Sequence, residues 1–213
     1  VIPIGIIVAG RFLGGRVGLT MDVLAPSVLA LAIWSTCFTS QAIMTGFERR
    51  YGVLERLSAT PLGRSGLLAG KAMAYSVISL AQVILLVIIS LALSWHPHGS
   101  GLAWLPTLVS VALAMMTFGL AALAMAGSLK AEVTLGLANL VYIVGLVAGA
   151  VVWPLVDYPK AIRPVIAALP TTALGESLRA WGVGYTLWWP LASLAGWAIL
   201  LGLLARKVFT WIS

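Results

Sequence analysis

The sequence predicts an all-α integral membrane protein, a bundle of helices that crosses a bilayer several times. Three observations predict it. Hydrophobic residues make up 61% of the 213 positions. Charged residues make up only 9%, against about 25% in a soluble domain, which needs them to cover its surface. The apolar residues are also gathered into five long runs, none with Asp, Glu, Lys, Arg or His in its interior. Hydrocarbon offers the backbone no outside partner, so a crossing segment must satisfy its own N–H and C=O groups as a helix. A barrel would alternate apolar and polar positions over strands of ~10 residues, and these runs are apolar all round.

In chain order, residues 1–9 (VIPIGIIVA) are apolar but shorter than the ~20 residues a crossing helix needs. No basic segment precedes them and no small-x-small cleavage site follows, so they are a poor signal peptide. Residues 1–10 are expected to be the end of a truncated first span. The second to sixth spans are expected at 23–44, 72–93, 102–125, 133–155 and 185–204. The single cysteine, Cys37, excludes an internal disulfide and fits a small packing residue in its run.

The connections hold the charge. With 13 Lys and Arg against 6 Asp and Glu, the net charge is +7. In a soluble chain that balance would point to nucleic acid. Between apolar spans it points instead to anionic lipid, and nucleic acid is not an expected partner. Arg49, Arg50, Arg56, Arg64, Lys71, Lys130, Arg206 and Lys207 fall on one side; Arg11, Arg16, Lys160, Arg163 and Arg179 fall on the other. The excess predicts that the 46–71 loop and the C-terminus face the cytoplasm. Trp95, Trp104 and Trp211 stand at span ends, where tryptophan anchors at the interface.

Two segments are not spans. In 47–64 (FERRYGVLERLSATPLGR), Glu48 and Glu55, and likewise Arg49 and Arg56, are seven apart, so each pair returns to one helical face. Val53, Leu54 and Leu57 give that helix an apolar side, and Pro61 and Gly63 stop it. A short amphipathic cytoplasmic helix is expected. The second segment, 156–184, is broken by Pro159, Pro164, Pro170 and Gly175. Short helices over 162–169 and 172–181 are expected, forming an outer re-entrant or interfacial pair. Such backbone at membrane depth survives only against protein or a wet cavity. Glu176 and Arg179 have the i,i+3 spacing of a helix-surface ion pair.

Other patterns are weaker. Gly66 to Lys71 is half a phosphate loop, but Ser65 stands where the first glycine belongs and Ala72 follows the lysine, so nucleotide binding is not expected here. Gly66/Gly70 and Gly145/Gly149 have the spacing of close helix contacts, more simply within one chain than between two. His96 and His98 lack a nearby carboxylate, and a solvated loop explains them better than a metal. Trp34, Phe38, Tyr142 and Trp153 are aromatics in or near spans, candidates for lining an apolar path, with ordinary packing the plainer reading.

Residues 47–76 (FERRYGVLERLSATPLGRSGLLAGKAMAYS) resemble the signature region of ABC-2 type permeases: charges, Gly, a Leu-rich piece, Thr-Pro, then Gly-Lys opening the next span. Glu48, Arg49, Arg50, Gly52, Leu54, Leu57, Thr60, Pro61, Gly70 and Lys71 stand in that order. Residues 169–181 (LPTTALGESLRAW) are similar to the family's Leu-Pro segment before the last span, and Pro26 to its proline opening span two. The resemblance implies a six-helix ABC-2 type transmembrane bundle, with a cytoplasmic coupling helix at 47–64 and an outer helical pair that includes Pro170, Glu176 and Arg179. It implies two paired permeases, identical or paralogous, each docked on a nucleotide-binding subunit. ATP and Mg would be bound and hydrolysed on that subunit, with no cofactor on this chain. Glu48, Arg49, Arg50, Tyr51, Gly52, Leu54, Glu55, Arg56, Leu57, Thr60 and Pro61 would form the coupling surface. The cargo would be an amphipathic drug, lipid, polyketide or glycolipid exported across the plasma membrane.

Two other function classes fit less well. An ion-coupled secondary transporter generally keeps ionisable residues inside the membrane, and the five runs have none. A membrane-embedded transferase needs a convergent polar site, for which only Asp157, Lys160, Arg163, Glu176 and Arg179 offer groups.

Overall fold

The structure, a computed structural model, describes residues 7, 20–58, 63–99 and 104–208. Those residues are helical throughout apart from turns and connections, and five helices are long and apolar enough to cross a bilayer. The first is a 30-residue rod, Met21–Arg50, made of α1 (Met21–Trp34), a π-helical stretch (Ser35–Ser40) and α2 (Gln41–Arg50). At 1.5 Å per residue it is about 45 Å long, longer than the ~30 Å hydrocarbon core. Its last turns can therefore hold Glu48, Arg49 and Arg50 beyond the apolar layer. A short helix follows, α3 (Val53–Ser58). Then come α4 (Gly63–Ala92), α5 (Trp104–Ser128) and α6 (Ala131–Ala148), then a 3-10 turn (Leu155–Asp157), α7 (Arg163–Ala167), α8 (Pro170–Val183) and α9 (Trp189–Val208).

The Met21–Arg50 rod is the centre of the bundle. In its most apolar stretch 83% of residues are buried, against 11% for α4 and 17% each for α6 and α9. Helices α5 and α9 pack along one another, α1 packs on α8 and α4, and α2 packs on α5 and α6. The peripheral helices turn Val77, Ile88, Ile143, Val147 and Leu203 outward, each more than half exposed. In water such faces would drive association; in a bilayer they meet acyl chains at no cost.

Three boundaries differ from the sequence expectation, each for a local reason. The fifth span ends at Ala148, not at 155. Gly149 caps it and Ala150 takes a left-handed φ of 47°, a turn invisible to hydropathy because VVWPL downstream is still apolar. The helix of the third span begins at Gly63, so 63–64 belong to α4 and not to the expected amphipathic helix, and the candidate span itself starts at Ala69. The helix expected over 47–64 is broken at Tyr51–Gly52, where Gly52 has φ 68°, the region glycine enters without a Cβ penalty.

Residues 155–183 fold back against the bundle. Pro164 and Pro170 sit in first turns, where a missing N–H costs nothing, and Gly184 closes α8 with φ 93°. The α7–α8 turn touches α9, where the Trp197 indole donates to the Ala168 carbonyl at 2.7 Å. Trp197 is eight residues into α9, about 12 Å from its start. Helix α8 is buried along most of its length. Its far end meets the α4–α5 connection, where Trp95 and Trp181 pack edge to face at 5.8 Å and the His98 N–H donates to the Gly182 carbonyl.

Candidate functional site

The charged end of the bundle is built on the last turns of α2. Glu48 pairs with Lys71 of α4, and Arg50 pairs with Glu132 of α6. Arg49 points inward and is only 7% exposed. Its guanidinium donates to the Gly127 carbonyl and, at 2.9 Å, to the Leu129 carbonyl. Those carbonyls lie in the last turn of α5 and just past it, where a cation meets the negative end of the helix dipole. Three successive residues thus tie α2 to three other helices.

Arg49 is therefore held within the bundle, and its side chain does not share the exposed face of α3. The expected common face of Glu48 with Glu55 and Arg49 with Arg56 is also lost, because the Gly52 turn separates α2 from α3. The turn is held by the Tyr51 N–H on the Phe47 carbonyl and the Gly52 N–H on the Arg49 carbonyl. Leu54, fully buried, anchors α3. Tyr51, Val53, Glu55, Arg56 and Leu57 are exposed around it, and Gly52 is half-buried. Tyr51 stacks on Phe47 at 6.2 Å, with the Arg50 guanidinium 5.8 Å above the Tyr51 ring. Thr60 and Pro61 lie outside the described residues.

Of the aromatic path candidates, three come together and one does not. Trp34 lies 6.4 Å from Phe38 and 5.2 Å from Tyr142, ring centre to ring centre. Phe118 of α5, which sequence reasoning did not single out, completes the cluster 6.3 Å from Trp34. Trp34, Phe38 and Phe118 are buried, so these rings pack on one another instead of lining an opening in this chain. Gly145 of α6 makes room for them, because a methyl there would overlap the Trp34 ring. Its small-residue spacing with Gly149 thus serves packing within the chain. Trp153 is 45% exposed in the segment after α6.

The polar residues of the second span are a further feature that the search for ionisable groups passed over. The run Ser35-Thr36-Cys37-Phe38-Thr39-Ser40-Gln41 is legible as a polar patch in an apolar segment. It coincides with the π-helical stretch, and π turns inside α-helices are frequent at functional sites. The Thr36 hydroxyl donates to the Gln82 side-chain oxygen of α4 at 2.8 Å.

At the opposite end Glu176 and Arg179 do pair, at 2.8 Å, but not on a helix surface. Arg179 is 5% exposed. Its guanidinium also donates to the Ala150 carbonyl at 2.6 Å and to the Val151 carbonyl and Ser27 hydroxyl at 3.1 Å. Glu176 accepts the Leu155 N–H at 2.8 Å. These bonds satisfy the backbone freed where α6 breaks off, and they join it to α1. Pro170 opens α8 beside the Thr172 hydroxyl, which bonds the Gly149 and Ile166 carbonyls. Tyr158 on this segment has its phenol pushed above the ordinary value, chiefly by burial.

Residues 12–207 match the family model described as ABC-2 family transporter protein. Neither a curated protein nor a solved structure matches the chain at a significant level. Five membrane-length apolar helices and a match over nearly the whole length agree: the chain belongs to the ABC-2 family of transporters and is a multi-pass membrane component of a transport system.

Proposed function

We propose that the chain is the permease subunit of an ATP-driven exporter in the plasma membrane, paired with a second copy or a paralogue and docked on a separate nucleotide-binding subunit. That subunit binds ATP and Mg. The cargo is amphipathic or lipid-like, as suits walls without charge. The charged end faces the cytoplasm, in keeping with its basic excess. Residues 155–183 form a re-entrant pair at the outer face.

One observation carries this reading. The exposed cluster Tyr51, Val53, Arg56 and Leu57 projects from a two-residue turn at the end of the central rod, while Glu48, Arg49 and Arg50 fasten that rod to α4, α5 and α6. A push on α3 is therefore delivered to the most buried helix and three neighbours at once. An isolated charged loop would yield without moving the bundle.

The test replaces Tyr51 and Arg56 together by Ala, both exposed and outside the α2 fastenings. Binding of the nucleotide-binding subunit to the detergent-purified permease should fall at least tenfold, with thermal stability unchanged within ~2 °C. Undiminished binding and transport would sink the docking claim. Sidedness is read in a Cys37→Ser background: Arg56→Cys should react with an impermeant maleimide only from the cytoplasmic side, and Trp188→Cys only from outside.

A further inference from the structure

Between α4, α5 and α9 the bundle is not closed. A crevice of about 600 Å³ opens there, walled by side chains such as Ala72, Leu120, Ile199 and Gly202. Among the described residues Arg206 is its one charged liner. The crevice shares Ala72, Met116, Leu120 and Leu123 with an inner cavity of about 180 Å³ that reaches Cys37, Gln41, Tyr75 and Gly119. The two adjoin across those four residues, with apolar walls between Gln41 on one side and Arg206 on the other.

The inner end is set by Gln41. This side chain is 1% exposed, and its Nε2 amide has no hydrogen-bond partner among the described residues. Its Oε1 lies close to Gly119, where a Cβ would stand 3.3 Å away. The Thr39 and Thr45 hydroxyls of the same rod also lack a partner among the described residues, but of the three only Gln41 lines the recess. A buried amide without a partner is unfavourable, and a ligand oxygen would relieve it. The outer end is Arg206, exposed in the last turn of α9 and outside any ion pair among the described residues. Gly202 sits level with Leu120, and Arg206 is one turn beyond, roughly 6 Å along the axis.

We propose that this recess binds an anionic amphiphile. The acyl chain lies along the apolar walls, the anionic head meets Arg206, and a carbonyl or hydroxyl oxygen a short segment inward accepts from the Gln41 amide. A bilayer phospholipid and a free amphiphilic cargo share this chemistry. The exporter reading is needed only for what becomes of the ligand afterwards, since binding itself uses no ATPase.

The test places the chain in phosphatidylcholine nanodiscs with 3-hydroxypalmitate that bears a photoactivatable diazirine, its carboxylate for Arg206 and its hydroxyl for Gln41, and maps the adducts by mass spectrometry. Adducts should concentrate on 72–76 and 112–123 and be competed by oleate. Gln41→Leu should raise the half-saturating concentration about fivefold, the loss of one neutral hydrogen bond. Because it deletes an unpartnered buried amide, that variant should be at least as thermally stable as the parent. Arg206→Gln should weaken the hydroxy acid but leave its methyl ester unchanged, and Gly119→Leu should abolish labelling by filling the recess. Adducts scattered over the outward faces of α4 and α6, or labelling indifferent to Gln41→Leu, would overturn the proposal. Discs doped with phosphatidylglycerol tell the sources apart. Suppressed labelling assigns the recess to membrane lipid, and labelling that persists yet yields to oleate assigns it to a free amphiphile. Loss of ATPase docking in the α3 variant leaves every one of these readouts standing, and the reverse holds too.

Discussion

Arg179→Met isolates the buried network around Glu176. The side chain keeps a comparable length, so packing beside Gly175 and Ser27 is largely retained, while five N–H donors are lost. The bonds removed are those to Ala150, Val151, Ser27 and Glu176, all between 2.6 and 3.1 Å. Hydrogen bonds to a charged group are each worth about 1.5–3 kcal/mol, but they share one donor group and do not add. Breaking a buried pair by deleting one partner costs about 3–5 kcal/mol. Glu176 keeps the Leu155 N–H and some contact with solvent, which favours the lower half of that range, about 3–4 kcal/mol. For a chain of this size 1 kcal/mol shifts the melting temperature by roughly 2–4 °C, so a drop near 10 °C is expected. Differential scanning fluorimetry in detergent measures it, with the exposed Lys160→Met as control, expected to move by under ~0.5 kcal/mol. Adding Glu176→Gln to Arg179→Met should recover part of the loss, because the uncompensated carboxylate is gone. A melting temperature for Arg179→Met equal to that of Lys160→Met would refute the network as a structural tie.

Two further outcomes follow from the same geometry. Arg49→Leu should lower stability by about 2 kcal/mol, from two charge-assisted bonds and a helix-end cation, read as a melting shift of roughly 4–8 °C; a shift as small as that of exposed Arg56→Leu would place Arg49 in solvent. Gly145→Leu should cost about 1–3 kcal/mol by overpacking against Trp34. Trp34→Ala should rescue it in part, and additive losses in the double variant would show that the two do not touch.

The five long helices were legible because hydrocarbon imposes one rule on every residue of a span. Break points were less so. The end of the fifth span depends on Gly149 and Ala150 turning beneath α8, and no local apolar count registers that contact. Glu176 and Arg179 were legible as a pair from their spacing, yet their burial depends on α6, α1 and α8 converging from positions far apart in sequence. Residues 47–64 illustrate the opposite error. The seven-residue spacing of their charges is real, but one left-handed glycine, Gly52, splits it, and a periodicity argument assumes an unbroken helix.

What the sequence determined by itself was the solvent, the helical form of the spans, the polar ends between them and the family signature over 47–76, because transfer into a bilayer acts residue by residue. What only the tertiary structure decided was which charges are exposed and which are consumed in holding the bundle. Arg49 and Arg50 are adjacent and chemically alike. One caps a neighbouring helix and the other reaches the surface, because consecutive side chains on a helix point about 100° apart and only packing determines what each direction meets.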